Sequence, residues 1–182
     1  MILLTTSRRP SRRLRTFCRD LARVIPNTIR TNRGKMSLEE LAENAIEERA
    51  NRVVIIERWK GGPGRMRLLK MNDGELVQVP PHIYIQGIRL QREFEKGEVA
   101  LKSLIIDKPK DELSDTVMLT EALSGFFEIP VMDVDRAPSR YRASMQIRRN
   151  ETGKFSLSFL LIPNMTEIGP RLTISHVVWD LG

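Results

Sequence analysis

Arginines at helical spacing are the first residues in this sequence with a chemistry to offer: Arg8, Arg12, Arg15, Arg19 and Arg23 recur at intervals of three or four. At about 100° per residue they share an arc of about 80°, while Leu14, Phe17, Cys18, Leu21, Val24 and Ile25 gather on the opposite side. One face of such a helix packs, and the other presents guanidinium groups, planar forks of donors that match phosphate oxygens. Like charges at these intervals destabilise an isolated helix by roughly a few tenths of a kcal/mol each. Residues 1–35 hold Arg8, Arg9, Arg12, Arg13, Arg15, Arg19, Arg23, Arg30, Arg33 and Lys35 against Asp20 alone, a net of +9. A localised, uncompensated patch of this kind suits a polyanion, nucleic acid first. The bland alternative is a solvated helix face, or an arginine bias set by a hot habitat.

Other chemistry is scarce. The loop at residues 61–65 lacks the Lys-Ser/Thr ending of a phosphate-binding loop and returns as a hairpin, which excludes a nucleotide site of that type. Arg58, Lys60, Arg65 and Arg67 surround it, so a basic tip touching an RNA backbone competes with a tip that is simply solvated. His82 and His176 are the two histidines, far apart and without Cys or carboxylate at ligand spacing. Neither a metal nor a cofactor is expected, and His176 reads as a structural imidazole in the last strand. No nucleophile elbow or comparable activating context is present, so no catalytic site is expected. Cys18 stands alone, which removes an intramolecular disulfide and fits a reducing compartment. Aromatic residues make up 5%, and Phe17, Phe126 and Phe127 read as helix packing. Recognition of RNA is therefore expected to rest on phosphates and shape, with strong salt dependence.

These residues need a fold to hold them. The chain has 182 residues, 41% hydrophobic and 29% charged, with 30 Lys+Arg against 23 Asp+Glu for a formal +7. That is enough apolar material for a real core and too patterned for global disorder. Positions 36–182 hold 20 basic and 22 acidic residues, so the excess positive charge belongs to one end. The few apolar residues before Thr5, followed by Arg8 and Arg9, make neither a signal peptide nor a bilayer span. An intracellular protein with no membrane partner is expected.

Periodicity predicts a strand at 2–6, the amphipathic helix at 11–24, a brief strand at 28–31 and a helix from Ser37 to about Arg49. Ser37 and Glu40 form a capping box for the latter, with Leu38, Leu41, Ala42, Ala45 and Ile46 inward. A hairpin pairs 52–58 with 66–71, and strands follow at 76–79 and 83–90, separated by a joint at Pro80 and Pro81. Beyond it come a strand at 104–107 and a helix at 114–127, with Val117, Met118, Ala122, Leu123 and Phe126 as core candidates. Strands at 144–149, 155–162 and 172–179 complete the chain. Alternating strands and helices make this an α/β protein. The helices closing at Ile25-Pro26 and Ile129-Pro130 hint at an internal duplication.

Three segments in this order and spacing, TTSRRPSRRLRTFCRDL at 5–21, NRGKMSLEEL at 32–41 and TEIGPRLTISHVVWDL at 166–181, resemble the Brix-domain proteins of ribosome biogenesis. The resemblance spans nearly the whole chain. It implies one Brix domain over 1–182 built of two similar α/β halves with mixed sheets, residues 1–80 and 81–182. Those halves would be related to the anticodon-binding domains of class II aminoacyl-tRNA synthetases. It also implies a non-catalytic role in pre-rRNA processing and subunit assembly. The partners implied are rRNA or pre-rRNA, guide RNA and other assembly proteins. Without the extensions of larger eukaryotic members, the chain looks like the small archaeal form, near the small-subunit branch. Its expected location is cytoplasmic, nucleolar only in a eukaryote. By position, Arg8, Arg12, the Arg33-Gly34-Lys35 turn and Arg171 fall in the family's motifs. The candidate RNA-binding residues are Arg8, Arg9, Arg12, Arg13, Arg15, Arg19, Arg33, Lys35, Arg65 and Arg171, and Arg171 is equally suited to a salt bridge. The rival reading is a protein-interaction scaffold whose arginines meet an acidic partner.

Overall fold

The aliphatic run Ile2–Thr6 forms β1, buried throughout and flanked on both sides by parallel strands, which is why it shows no polar alternation. A computed structural model describes residues 1–59 and 62–182. The elements that follow β1 are α1 (Arg12–Val24), β2 (Thr28–Arg30), α2 (Leu38–Glu47), β3 (Arg52–Trp59), β4 (Gly62–Asn72) and β5 (Glu75–Arg89). After a 3-10 turn at Gln91–Glu93 come β6 (Ile105–Asp107), α3 (Ser114–Phe127), β7 (Val131–Met132), β8 (Ala143–Arg149), β9 (Phe155–Leu161), β10 (Thr166–Glu167) and β11 (Arg171–Val178). The mixed α/β class expected from the sequence is the one observed.

Among the described residues the strands join into one sheet in the order β2-β1-β3-β4-β5-β11-β9-β8-β6-β7, with β10 paired to β9. From the antiparallel β5–β11 seam the same sequence of pairings runs outward in both directions. One arm continues antiparallel through β4 and β3 and ends in parallel β1 and β2, joined by α1. The other continues antiparallel through β9 and β8 and ends in parallel β6 and β7, joined by α3. Alternate side chains divide the core. Ile2, Leu4, Val54, Ile56 and Leu68 face α1 and share one cluster with α3, whereas Leu3, Val53, Ile55 and Leu69 face α2.

Helix α1 is as expected. Ser11 caps it by accepting the Leu14 N–H at 3.1 Å, and Leu14, Phe17, Cys18, Leu21 and Val24 are buried. Helix α2 carries the expected capping box, with Glu40 N–H to Ser37 Oγ at 3.1 Å and Ser37 N–H to Glu40 Oε2 at 2.7 Å. Its buried stripe is narrower than expected, limited to Leu41, Ala42 and Ala45, while Leu38 and Ile46 are exposed. Ile46 lies about 100° around from Ala45, and Leu38 sits in the first turn with its flank open. On α3 the stripe is shifted: Thr116, Leu119, Thr120, Leu123, Phe126 and Phe127 are buried, and Met118 is exposed. Two threonines can go inside because the Thr120 hydroxyl donates to Thr116 O at 2.8 Å and that of Thr116 to Asp111 Oδ2 at 3.2 Å.

The two strands expected around Pro80 and Pro81 are one long strand. The prolines sit where the β4–β5 register shifts between Met66 and Leu68, so their missing N–H groups break no ladder bond. Residues 76–79 of β5 pair only with β4, and residues 85–89 only with β11.

Candidate nucleic-acid interface

The outward side of α1 carries Arg12, Arg15 and Arg19, all exposed. The chain leaving β2 brings Arg30 and Asn32 beside them, and the 3-10 turn after β5 adds Arg92. Together with Thr16, Asp20 and Glu98 they line a cleft of about 310 Å³. None of the five arginines forms an ion pair among the described residues; the hydrogen bond from Arg15 to Pro10 O at 3.4 Å is long. The two carboxylates are engaged elsewhere. Glu98 pairs with Arg23 at 2.9 Å, which holds its carboxyl below the usual range. Asp20 is 2% exposed, lies 3.8 Å from Arg23, and is pushed above the usual carboxylate range by burial. Arg23, the last member of the sequence arc, is thus turned into this network and away from the cleft.

Arg92 reaches the cleft through a contact between distant elements. Asp20 Oδ2 accepts the Gln91 N–H at 2.9 Å, and the Gln91 side chain donates to Val99 O at 2.8 Å and Gly169 O at 3.5 Å. Gln91 is fully buried, so the neighbouring Arg92 is fixed at the rim. Five guanidinium groups around a partly enclosed space make a receptor for a polyanion. Their forks can donate bidentately to phosphate oxygens, and among the described residues no ion-paired carboxylate needs to be displaced first.

The remaining candidate residues lie elsewhere. Arg8 and Arg9 are exposed in the turn before α1, where Arg8 donates to Met36 O at 3.2 Å. Arg13 pairs with Glu93 at 3.0 Å and donates to Ile88 O at 2.8 Å, tying α1 to the end of β5. Arg33 is buried, bonded to Met36 O at 2.8 Å, and its pKa is lowered by burial and then by Arg8 and Arg67. Lys35 is exposed beyond Gly34, whose φ of +54° suits glycine. Arg65 faces Glu57 across β3 and β4 in an ion pair. Of the expected basic tip, Lys60 and Gly61 fall outside the described residues.

Arg171 forms a two-point pair with Glu167 and lies 5.7 Å from the Phe94 ring centroid. Gly169, with φ of +66°, packs directly under that ring. The 167–171 segment thus builds a packed corner between β11 and the turn after β5. The cleft brings together Arg12, Arg15 and Arg19 of the candidate list; Arg92 is absent from that list because no local spacing signals it. His176, expected to be structural, is exposed and stacks on Tyr84 at 4.3 Å between centroids.

Fold and cleft together define a mixed α/β protein with an arginine-lined cleft. No family model matches the chain. It is 42% identical over 94 residues to a "Probable Brix domain-containing ribosomal biogenesis protein" of Pyrococcus horikoshii, covering 52% of this chain and 42% of that one. Proteins of the same name from Aeropyrum pernix and Methanopyrus kandleri are 36% identical over 110 residues and 32% over 126. Those matches cover 59% and 66% of this chain and 61% and 63% of the relatives, so in each case less than two thirds of the relative is spanned. The fold matches the crystal structure of a "probable ribosomal biogenesis protein" from Aeropyrum pernix K1 with a TM-score of 0.80 at 27% identity, over 97% of this chain and 98% of that one. It also matches an archaeal Imp4-like protein with a TM-score of 0.68 at 24% identity, over 98% and 99% of the two chains. The chain is thus similar, over part of their length, to archaeal proteins named for the Brix domain and ribosome biogenesis.

Proposed function

We propose that this chain is a ribosome assembly factor that binds rRNA or pre-rRNA and performs no covalent chemistry of its own. The observation that carries the reading is the cleft in which Arg12, Arg15, Arg19, Arg30 and Arg92 converge without a carboxylate partner. Such crowding is unfavourable in isolation and is relieved when phosphates enter, which releases the counterions condensed on RNA. The names of the archaeal relatives support the assembly role, and other assembly proteins are its natural partners in the cytoplasm. The matching order of pairings on either side of the β5–β11 seam supports two similar halves, which we compare with the anticodon-binding domains of class II aminoacyl-tRNA synthetases.

The experiment is binding of the purified protein to a small-subunit rRNA fragment and to an unrelated RNA of equal length across a salt series. Tight binding with a steep salt slope, weakened when Arg12, Arg15 and Arg19 are changed together to Glu, supports phosphate-led recognition. Absence of binding at near-physiological salt sinks it and leaves an acidic protein partner as the target of the arginines.

A further inference from the structure

We propose that a second cleft, between the start of α3 and the ends of β8, β9 and β11, holds a single unstacked nucleobase of the bound RNA. The proposal rests on the RNA-binding reading above. The cleft measures about 290 Å³, near the lower limit of ligand sites, and so suits one ring system. Its lining differs in kind from the arginine cleft. Leu119, Phe155, Val177 and Trp179 supply apolar and aromatic surface, and Asp115, Arg149, Ser175 and His176 supply polar groups.

Charge argues for a base over a phosphate. Arg149 lies 3.4 Å from Asp115 and donates to Gly153 O at 3.2 Å, so the one arginine in the cleft is already paired. What is left is a pocket whose one ion pair is internally balanced and whose remaining lining is largely apolar and π-rich, matching a neutral heterocycle. The exposed His176 ring lies nearly parallel to Tyr84, 10° between planes, and a base laid on it extends that stack.

Hydrogen bonding fixes where the histidine sits. The Ser175 hydroxyl donates its single proton to Tyr84 O at 3.2 Å. Its oxygen also lies 3.0 Å from His176 Nδ1, a contact that holds the ring in place against Tyr84. A held ring with an open face stacks an unpaired base, and a duplex, whose bases are already stacked on one another, offers none.

The test uses the full chain carrying Trp59→Phe, so that Trp179 is the single tryptophan reporter. Three oligoribonucleotides of equal length are titrated: single-stranded, duplex, and an abasic strand with the same phosphates. The single strand should quench Trp179 emission and bind about tenfold tighter than the abasic strand, the scale of one stacking contact. His176→Ala should remove that tenfold advantage and leave abasic affinity unchanged, while His176→Phe, which keeps a ring, should retain most of it. Equal affinity for single-stranded and abasic oligomers, or arginine-dependent binding without quenching, overturns the base pocket and leaves phosphate binding standing. No binding of any oligomer overturns both.

Discussion

The carboxylate of Asp20 on α1 accepts the backbone N–H of Gln91, 71 residues further along the chain, inside the protein. Removing the acceptor leaves a buried donor unsatisfied, so Asp20→Ala should cost about 1–3 kcal/mol and loosen the turn that presents Arg92. Asp20→Asn keeps an acceptor and tests the charge alone. Because burial raises the Asp20 pKa, its contribution to stability is fullest below the ordinary carboxylate range and is lost as pH rises through the folded value. Denaturant unfolding across a pH series should show Asp20→Asn gaining on the parent protein as pH rises. A constant difference at every pH would refute this.

Changing Arg12, Arg15 and Arg19 together to Glu should reduce the slope of log affinity against log salt by roughly 2, given about 0.7 per phosphate on a single strand. All three are exposed and form no ion pair among the described residues, so circular dichroism and melting temperature should stay close to the parent. An unchanged slope would mean that RNA approaches another surface.

Gly169 sits against Phe94 with a left-handed backbone, and a Cβ there would run into the ring. Gly169→Ala is expected to destabilise by about 1–3 kcal/mol through overpacking, measured as a fall in denaturation midpoint. Trimming the ring with Phe94→Leu in the same chain should return part of that loss. If the double variant is simply the sum of the two, the contact is not the cause.

Cys18 is fully buried on the inner face of α1, and burial pushes its thiol up to about 12. At neutral pH it should not react with a thiol reagent until denaturant opens the core. Rapid labelling of native protein would place Cys18 in a frequently opened region.

Ser37→Ala removes the hydroxyl half of the α2 capping box and should cost about 1 kcal/mol. The measurement is chemical unfolding of a single substitution at an exposed helix start, where packing losses are small.

The strengths of sequence reading follow from locality. The buried stripe of α1 and the Ser37–Glu40 box depend on residues three or four apart, and both are found where the spacing places them. The α3 stripe differs from its expected position because Thr116 and Thr120 are polar in sequence and go inside only through their hydroxyl partners. Pro80 and Pro81 predict a break in β5, but their lost donors matter only if a partner strand needs them, and the register shift removes that need. In the arginine cleft, Arg12, Arg15 and Arg19 share a face by helical arithmetic, whereas Arg92 arrives through the Asp20–Gln91 contact and Arg33 is taken inside by Met36. Sequence spacing carries no trace of either. The Tyr84–His176 stack depends on the β5–β11 register across more than 90 residues and was equally hidden.

Strand β5 belongs to both arms, its first residues bonded to β4 and its last to β11. A chain severed at Pro80-Pro81 would give two fragments, each ending in a stump of strand with a raw, unsatisfied edge, prone to pair with whatever edge it met. The arms are therefore not modules that could be expressed, exchanged or lost one at a time. Selection and engineering alike must treat the full sheet as the smallest heritable unit.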